Sequence, residues 1–219
     1  GGNRVDGRGV RLNARGDYVI ETASGSRTYS AAQVVRAESD KPDGYDQEIA
    51  AAIAGQHDEA LAELAARARR GRGLGWDDRA QAAIARIRIS QGDFAEAVSA
   101  FESMGKESLA QPELQPLYWK ALLESADYRK LGRQLDAALR DGDRSLAARA
   151  QILRGDANLK QRLLEAAALD YLRTVTLFKS VKEVQAEALY KAGTTLEEMR
   201  HAKANDMFDM LKNEYPQSE

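Results

Sequence analysis

A small residue followed four positions later by a large apolar one recurs five times along this chain. The pairs are Ala60/Leu64, Ala97/Phe101, Leu131/Leu135, Ala167/Tyr171 and Ala204/Phe208. The small positions are spaced 37, 34, 36 and 37 residues apart, and Leu131 is the exception in size. Residues four apart share one face of a helix, so each pair is a local packing unit. A recurrence with this period constrains the fold more than any composition figure, because it points to stacked supersecondary units. From about Tyr45 onward the chain is rich in Ala, Leu, Glu, Arg and Gln, all good helix formers. Breakers at Gly55, Gly71 to Gly75, Gly92, Gly105, Pro112 and Gly142 divide it into helices of about 12 to 15 residues. Five helical hairpins are expected, over roughly 43–68, 77–104, 114–140, 146–177 and 184–213. Their turns are placed at Gly55-Gln56-His57, Gly92-Asp93-Phe94, Ala126-Asp127-Tyr128 and Arg162-Leu163-Leu164.

The segment Gln91-Gly92-Asp93-Phe94-Ala95-Glu96-Ala97-Val98-Ser99-Ala100-Phe101 resembles the tetratricopeptide repeat, whose pattern ends in Ala-x3-Phe and then Pro. Pro216, eight residues after Phe208, stands where that family's proline belongs. The resemblance implies a mainly α fold, a right-handed α-solenoid of about five antiparallel helix pairs over 41–219. Departures are visible. The small position of the first helix is Ala85 and Gly155 in two pairs but Trp119 in the third, which predicts altered stacking there. Gly193 lies near that position in the fifth pair, whose turn reads one residue short.

Residues 1–40 differ from the rest. Asp17-Tyr18-Val19-Ile20-Glu21-Thr22 and Arg27-Thr28-Tyr29-Ser30 flank a turn at Ala23-Ser24-Gly25-Ser26. Val10-Arg11-Leu12 and Gln33-Val34-Val35 could lie beside them. The expectation is a small antiparallel β-meander of two to four strands, a piece of a larger β-module, with Ser39 to Gly44 as linker. Six Arg stand against five Asp plus Glu in this segment, so it is not a basic arm.

Composition removes several functions. There are no cysteines, so disulfides, thiolate metal sites and cysteine nucleophiles are excluded. Only His57 and His201 exist, and neither has companions at metal-ligand spacing. No cofactor and no metal are expected. A formal net charge of −2 argues against nucleic acid. The cluster Arg67, Arg69, Arg70 and Arg72 lacks aromatic interleaving and is followed by Asp77 and Asp78. Gly71 to Gly75 has no following Gly-Lys-Ser/Thr, so it is no phosphate loop. The longest small-apolar run, Ile49 to Ala54, falls far short of the about 18 residues of a membrane span. Carboxylates are plentiful but form no recognisable acid, base and nucleophile set, so no enzyme is expected.

In the resembled family the inner face comes from the first helix of each pair. The resemblance places there Tyr45, Ile49 and Ile53, then Arg79, Ala82, Arg86 and Ile89, then Lys120, Leu123 and Glu124. Arg149, Ile152, Asp156 and Lys160 follow, then Glu187, Tyr190 and Thr194. Partner binding is assigned to Arg79, Arg86, Lys120, Arg149, Asp156, Lys160 and Tyr190. An Arg fork on a carboxylate makes an acidic or C-terminal peptide the natural guess. The family's carboxylate clamp of paired Lys and Asn is absent. Trp76 reads as a staple of the turn between hairpins, and one of Tyr118 and Trp119 as core. His57 reads as a packing residue.

The function implied is a non-enzymatic protein-protein interaction scaffold holding a peptide or partner in the concave groove. The alternative is a self-associating module joined through the β edge or a helical face. The chain opens Gly1-Gly2-Asn3 without methionine, which reads as a processed product. Its ending, Phe208 to Tyr215-Pro216-Gln217-Ser218, resembles endings of bacterial envelope tetratricopeptide proteins. A periplasmic or envelope location is expected, with the cytoplasm as the alternative.

Overall fold

The computed structural model describes residues 4–34, 37–40, 43–55, 58–71, 74 and 76–217. Those residues are mainly helical, with a small antiparallel sheet at the start of the chain. The chain divides into two compact units, residues 1–121 and 122–219. The 1–40 segment falls inside the first unit.

The sheet has three strands in the order β1, β2, β3: β1 (Gly9–Leu12), β2 (Tyr18–Thr22) and β3 (Gly25–Tyr29). Tyr18 lies opposite Leu12 in β1 and opposite Tyr29 in β3. The first turn is closed by the Asn13 side-chain carbonyl, which accepts from the Arg15 and Asp17 N–H groups at 2.8 and 3.0 Å. Only Val19 is fully buried in the sheet. The expected flank at Gln33-Val34-Val35 is not a strand where it is described. Ala31–Gln33 form a 3-10 turn, because the Gln33 side chain reaches back to the Ser30 N–H at 3.0 Å. Val35 lies outside the described residues.

The helices of the first unit are α1 (Tyr45–Gly55), α2 (Asp58–Gly71), α3 (Asp77–Gln91), α4 (Phe94–Glu102) and the short α5 (Lys106–Leu109). Helix α6 (Gln115–Glu124) crosses the division. The second unit continues with α7 (Tyr128–Asp141), α8 (Arg144–Lys160), α9 (Leu164–Leu177), α10 (Gln185–Glu198) and α11 (Ala204–Glu214). The expected hairpin ranges therefore coincide with α1/α2, α3/α4, α6/α7, α8/α9 and α10/α11. Helix α5 was not anticipated; a four-residue helix after Gly105 has too little sequence to show a period.

Four of the five turns share one backbone motif. A residue with positive φ ends the first helix: Gly92 (84°), Ala126 (59°), Arg162 (62°) and Arg200 (54°). Its N–H donates to the carbonyl three residues back, and the next N–H donates five back. These bonds run from Gly92 to Ile89 and Asp93 to Arg88, and from Ala126 to Leu123 and Asp127 to Leu122. They recur from Arg162 to Leu159 and Leu163 to Asn158, and from Arg200 to Glu197 and His201 to Leu196. This is the Schellman closure, which satisfies the last carbonyls of a helix. In three turns the next residue caps the second helix, and its carbonyl accepts from Ala97, Leu131 or Ala167, each at 3.0 Å. In the fifth pair Ala204 bonds only three residues back, to His201, and follows the positive-φ Arg200 by four positions, where Ala97, Leu131 and Ala167 follow theirs by five. The turn at Gly55-Gln56-His57 lies outside the described residues at Gln56 and His57.

The recurring column is the core of each pair. Ala97, Phe101, Leu131, Leu135, Ala167 and Tyr171 are completely buried, Leu64 and Ala204 nearly so, and Phe208 is half-buried. The side chain of Ala60 is outside the described residues. Tyr171 lies against Gly155, where a Cβ would stand 2.5 Å from its ring, and Phe208 lies the same way on Gly193 at 2.7 Å. Glycine at these two positions is therefore a packing requirement of the large residue opposite.

Several sequence expectations are corrected. Tyr45 and Ile49 are core residues, not members of an exposed face. Tyr118 and Trp119 are both buried, because α6 is covered over a wide arc that includes Ala121, Leu122 and Leu123. Trp76 does staple: its ring meets Tyr45 edge-on at 5.2 Å, its carbonyl accepts from the Tyr45 hydroxyl, and its indole N–H donates to Ser39. Of the expected linker, Lys41 and Pro42 lie outside the described residues. Asp77 and Asp78 lie in the first turn of α3, with Trp76 at the cap position, and Asp78 accepts from the distant Gly105 N–H at 3.1 Å.

Candidate binding face

First helices carry their candidate residues at positions i, i+3, i+7 and i+11, so each helix presents one stripe. In the first unit Arg79 is exposed at the start of α3 and paired with Asp46 of α1. Arg86 is half-buried one stripe position along, and Lys120 is exposed on α6. Neither Arg86 nor Lys120 has an ion pair among the described residues.

The second unit brings its candidates together. Asp156 of α8 is a hub. The Tyr171 hydroxyl of α9 donates to it at 2.7 Å, and the Lys191 ammonium of α10 donates to both of its oxygens at 2.8 Å. Lys191 also reaches Glu187, one turn back on α10, at 2.8 Å. Three helices therefore meet at one carboxylate. The Tyr171 hydroxyl gets there because its ring passes over Gly155, the residue before Asp156. Burial, then the Asp156 charge, push the Tyr171 phenol far above its ordinary value. Burial alone would pull the Lys191 ammonium down, but Asp156 and Glu187 outweigh it and raise it. Lys160, one turn beyond Asp156, is paired with Glu124 at 2.8 Å. Arg149 is exposed and has no ion pair among the described residues. Tyr190 is 56% exposed, the most open aromatic among the described core-sized residues.

Lys191 was not among the sequence candidates. It lies about 100° around α10 from Tyr190, off the stripe, and only its long stem carries the charge back. Its signal in the sequence is the Glu187/Lys191 pair at i, i+4.

A second polar cluster lies between α8 and α9. Asp170, with a side chain only 4% exposed, accepts from Gln151 at 2.7 Å, Arg154 at 2.9 Å, Asn158 at 2.9 Å and Arg173 at 3.1 Å. At the matching places of α10 and α11 stand Leu189, Ala192, Leu196 and Met207. Every buried side-chain polar atom among the described residues has a partner, so this cluster is closed on itself. Its buried members are engaged with one another, and Arg154 and Arg173 lead from them to the surface. Among the described residues no group of His, Cys, Asp or Glu is arranged to hold a metal ion, and no helix is long and apolar enough to cross a membrane. Comparison with known families, curated proteins and solved structures finds no match to this chain.

Proposed function

We propose that this chain is a tetratricopeptide-like, non-enzymatic scaffold whose units each hold a segment of a partner protein on the face made by their own first helices. The observation that carries this reading is the repetition of one turn geometry at Gly92, Ala126, Arg162 and Arg200. Beside the buried column it leaves Arg79, Arg86, Lys120, Arg149, Lys160 and Tyr190 wholly or partly open on the first helices α3, α6, α8 and α10, while Tyr45 and Ile49 of α1 are buried. Such stripes suit an extended segment, and the groups on them open to one are Arg86 and Lys120 in the first unit and Arg149 and Tyr190 in the second. An envelope complex is the setting proposed, on the resemblance of the chain's ending.

A photo-crosslinking residue placed at Lys120 or Tyr190, and at Leu169 of a second helix as control, tests this in the source cell. Adducts with another protein from the first two positions and not from Leu169 are the expected result. Adducts from Leu169 alone, or none at all, would sink it. Adducts between copies of the chain would favour the second reading, self-association. The observation behind that reading is β3, an exposed strand paired with β2 on one side only.

A further inference from the structure

Three acids and three bases occupy the first-helix face of the second unit. The acids are Glu124, Asp156 and Glu187, and the bases are Arg149, Lys160 and Lys191. Five of the six are already engaged within the chain, Lys160 on Glu124 and Lys191 on both Asp156 and Glu187, at 2.8 Å each. Two of these bonds join residues 36 and 35 apart, so they tie one first helix to the next rather than turn to turn. An incoming carboxylate would have to displace such a partner from Lys160 or Lys191. That exchange brings little, since one ion pair is traded for another and a carboxylate is left behind. The large hydrophobic side chain exposed on this face is Tyr190, at 56%. Aromatic side chains of this kind give large contact area at low entropic cost.

Resting on the scaffold reading above, we infer that the second unit recognises a segment without net charge, anchored by an apolar or aromatic side chain against Tyr190. The cis ion pairs serve to cancel the field of the face and to fix the spacing of α8 and α10. Binding here is then governed by contact at Tyr190 and depends weakly on salt.

The test uses the whole chain, immobilised, and a random library of 12-residue peptides. Selected peptides are measured against wild type, Tyr190→Ala, Arg149→Glu and Lys160→Glu, at low and high salt. All three positions are exposed, and circular dichroism checks that each variant remains helical. The expected peptides carry aromatic or branched apolar residues and little net charge. Tyr190→Ala should weaken them about tenfold or more, while salt and the two charge reversals should change affinity by less than about threefold. Acidic peptides, weakened about tenfold by salt or by Arg149→Glu, would overturn the inference and leave the scaffold reading standing. Neutral peptides indifferent to Tyr190→Ala would overturn it equally. A library that yields no peptide on the wild-type chain would remove the scaffold reading and this inference with it.

Discussion

Ala126, Arg162 and Arg200 hold a left-handed backbone conformation that costs a side-chain-bearing residue about 1–2 kcal/mol. Gly92 occupies the same place in its own turn without that cost. Ala126 is exposed and its side chain makes no polar contact, so Ala126→Gly isolates the backbone term. After the extra freedom of glycine in the unfolded chain is subtracted, a gain of about 0.5–1 kcal/mol is expected. Urea denaturation checks it, and a loss would show that the turn is not held at the observed φ. Gly155 gives the opposite case. A Cβ there would stand 2.5 Å from the Tyr171 ring, which is buried and hydrogen-bonded to Asp156 and cannot easily retreat. Gly155→Ala gains about 1 kcal/mol of helix propensity but overpacks the pair, for a net loss of about 1–2 kcal/mol by the same measurement. The two substitutions differ in sign because one position lacks space for a conformation and the other lacks space for an atom.

The pairing of α8 with α9 and α10 concentrates buried polar groups. Asp170 is nearly closed off from water and held by four side chains, so Asp170→Leu leaves Gln151 and Asn158 without their acceptor and takes the nearest carboxylate from Arg154 and Arg173, which are partly exposed. A loss of about 1–3 kcal/mol in chemical denaturation is expected. Replacing Gln151, Arg154, Asn158 and Asp170 together by apolar residues should recover most of that loss, as the fifth pair manages with Leu189, Ala192, Leu196 and Met207. At the Asp156 hub both Tyr171 and Lys191 are raised, so the folded chain holds their protons more tightly than the unfolded one. Between the unfolded and folded values the native state carries more protons, and stability falls as pH rises. The contribution is fully present below about pH 10, and melting temperature should drop above it. Tyr171→Phe should flatten that slope, and an unchanged slope would place the alkaline sensitivity elsewhere. The hairpin boundaries were legible in the sequence because breakers and a small-then-large column mark them. Asp156 as a hub was not, because its partners lie 15 and 35 residues away and the reading gave each residue one face.

Both tryptophans, Trp76 and Trp119, belong to the first unit, whereas helices fill both units. Helix α6 runs unbroken across the division, so melting one end of it falls on the other. Tryptophan fluorescence and circular dichroism should therefore give coincident unfolding curves; separate midpoints would show two independent units. Length, charge balance and the absence of cysteine limited the classes of function, and the recurring column determined where helices pair, because both are local properties of the chain. The strands at Val10 to Leu12 and Tyr18 to Thr22 were legible for the same reason, from β-forming and turn residues, whereas the third, expected at Arg27 to Ser30, begins two residues earlier, at Gly25, inside the expected turn. What only the tertiary structure decided is which charges remain open. The sequence made Asp156 and Lys160 equal to Arg149 as candidates, since a stripe position says only that a side chain leaves the helix on that side. Whether its charge then meets a partner depends on a neighbouring helix some 35 residues along, and on side chains long enough to cross between them. The Tyr171 ring over Gly155 likewise brings its hydroxyl from α9 to Asp156, a contact made in three dimensions.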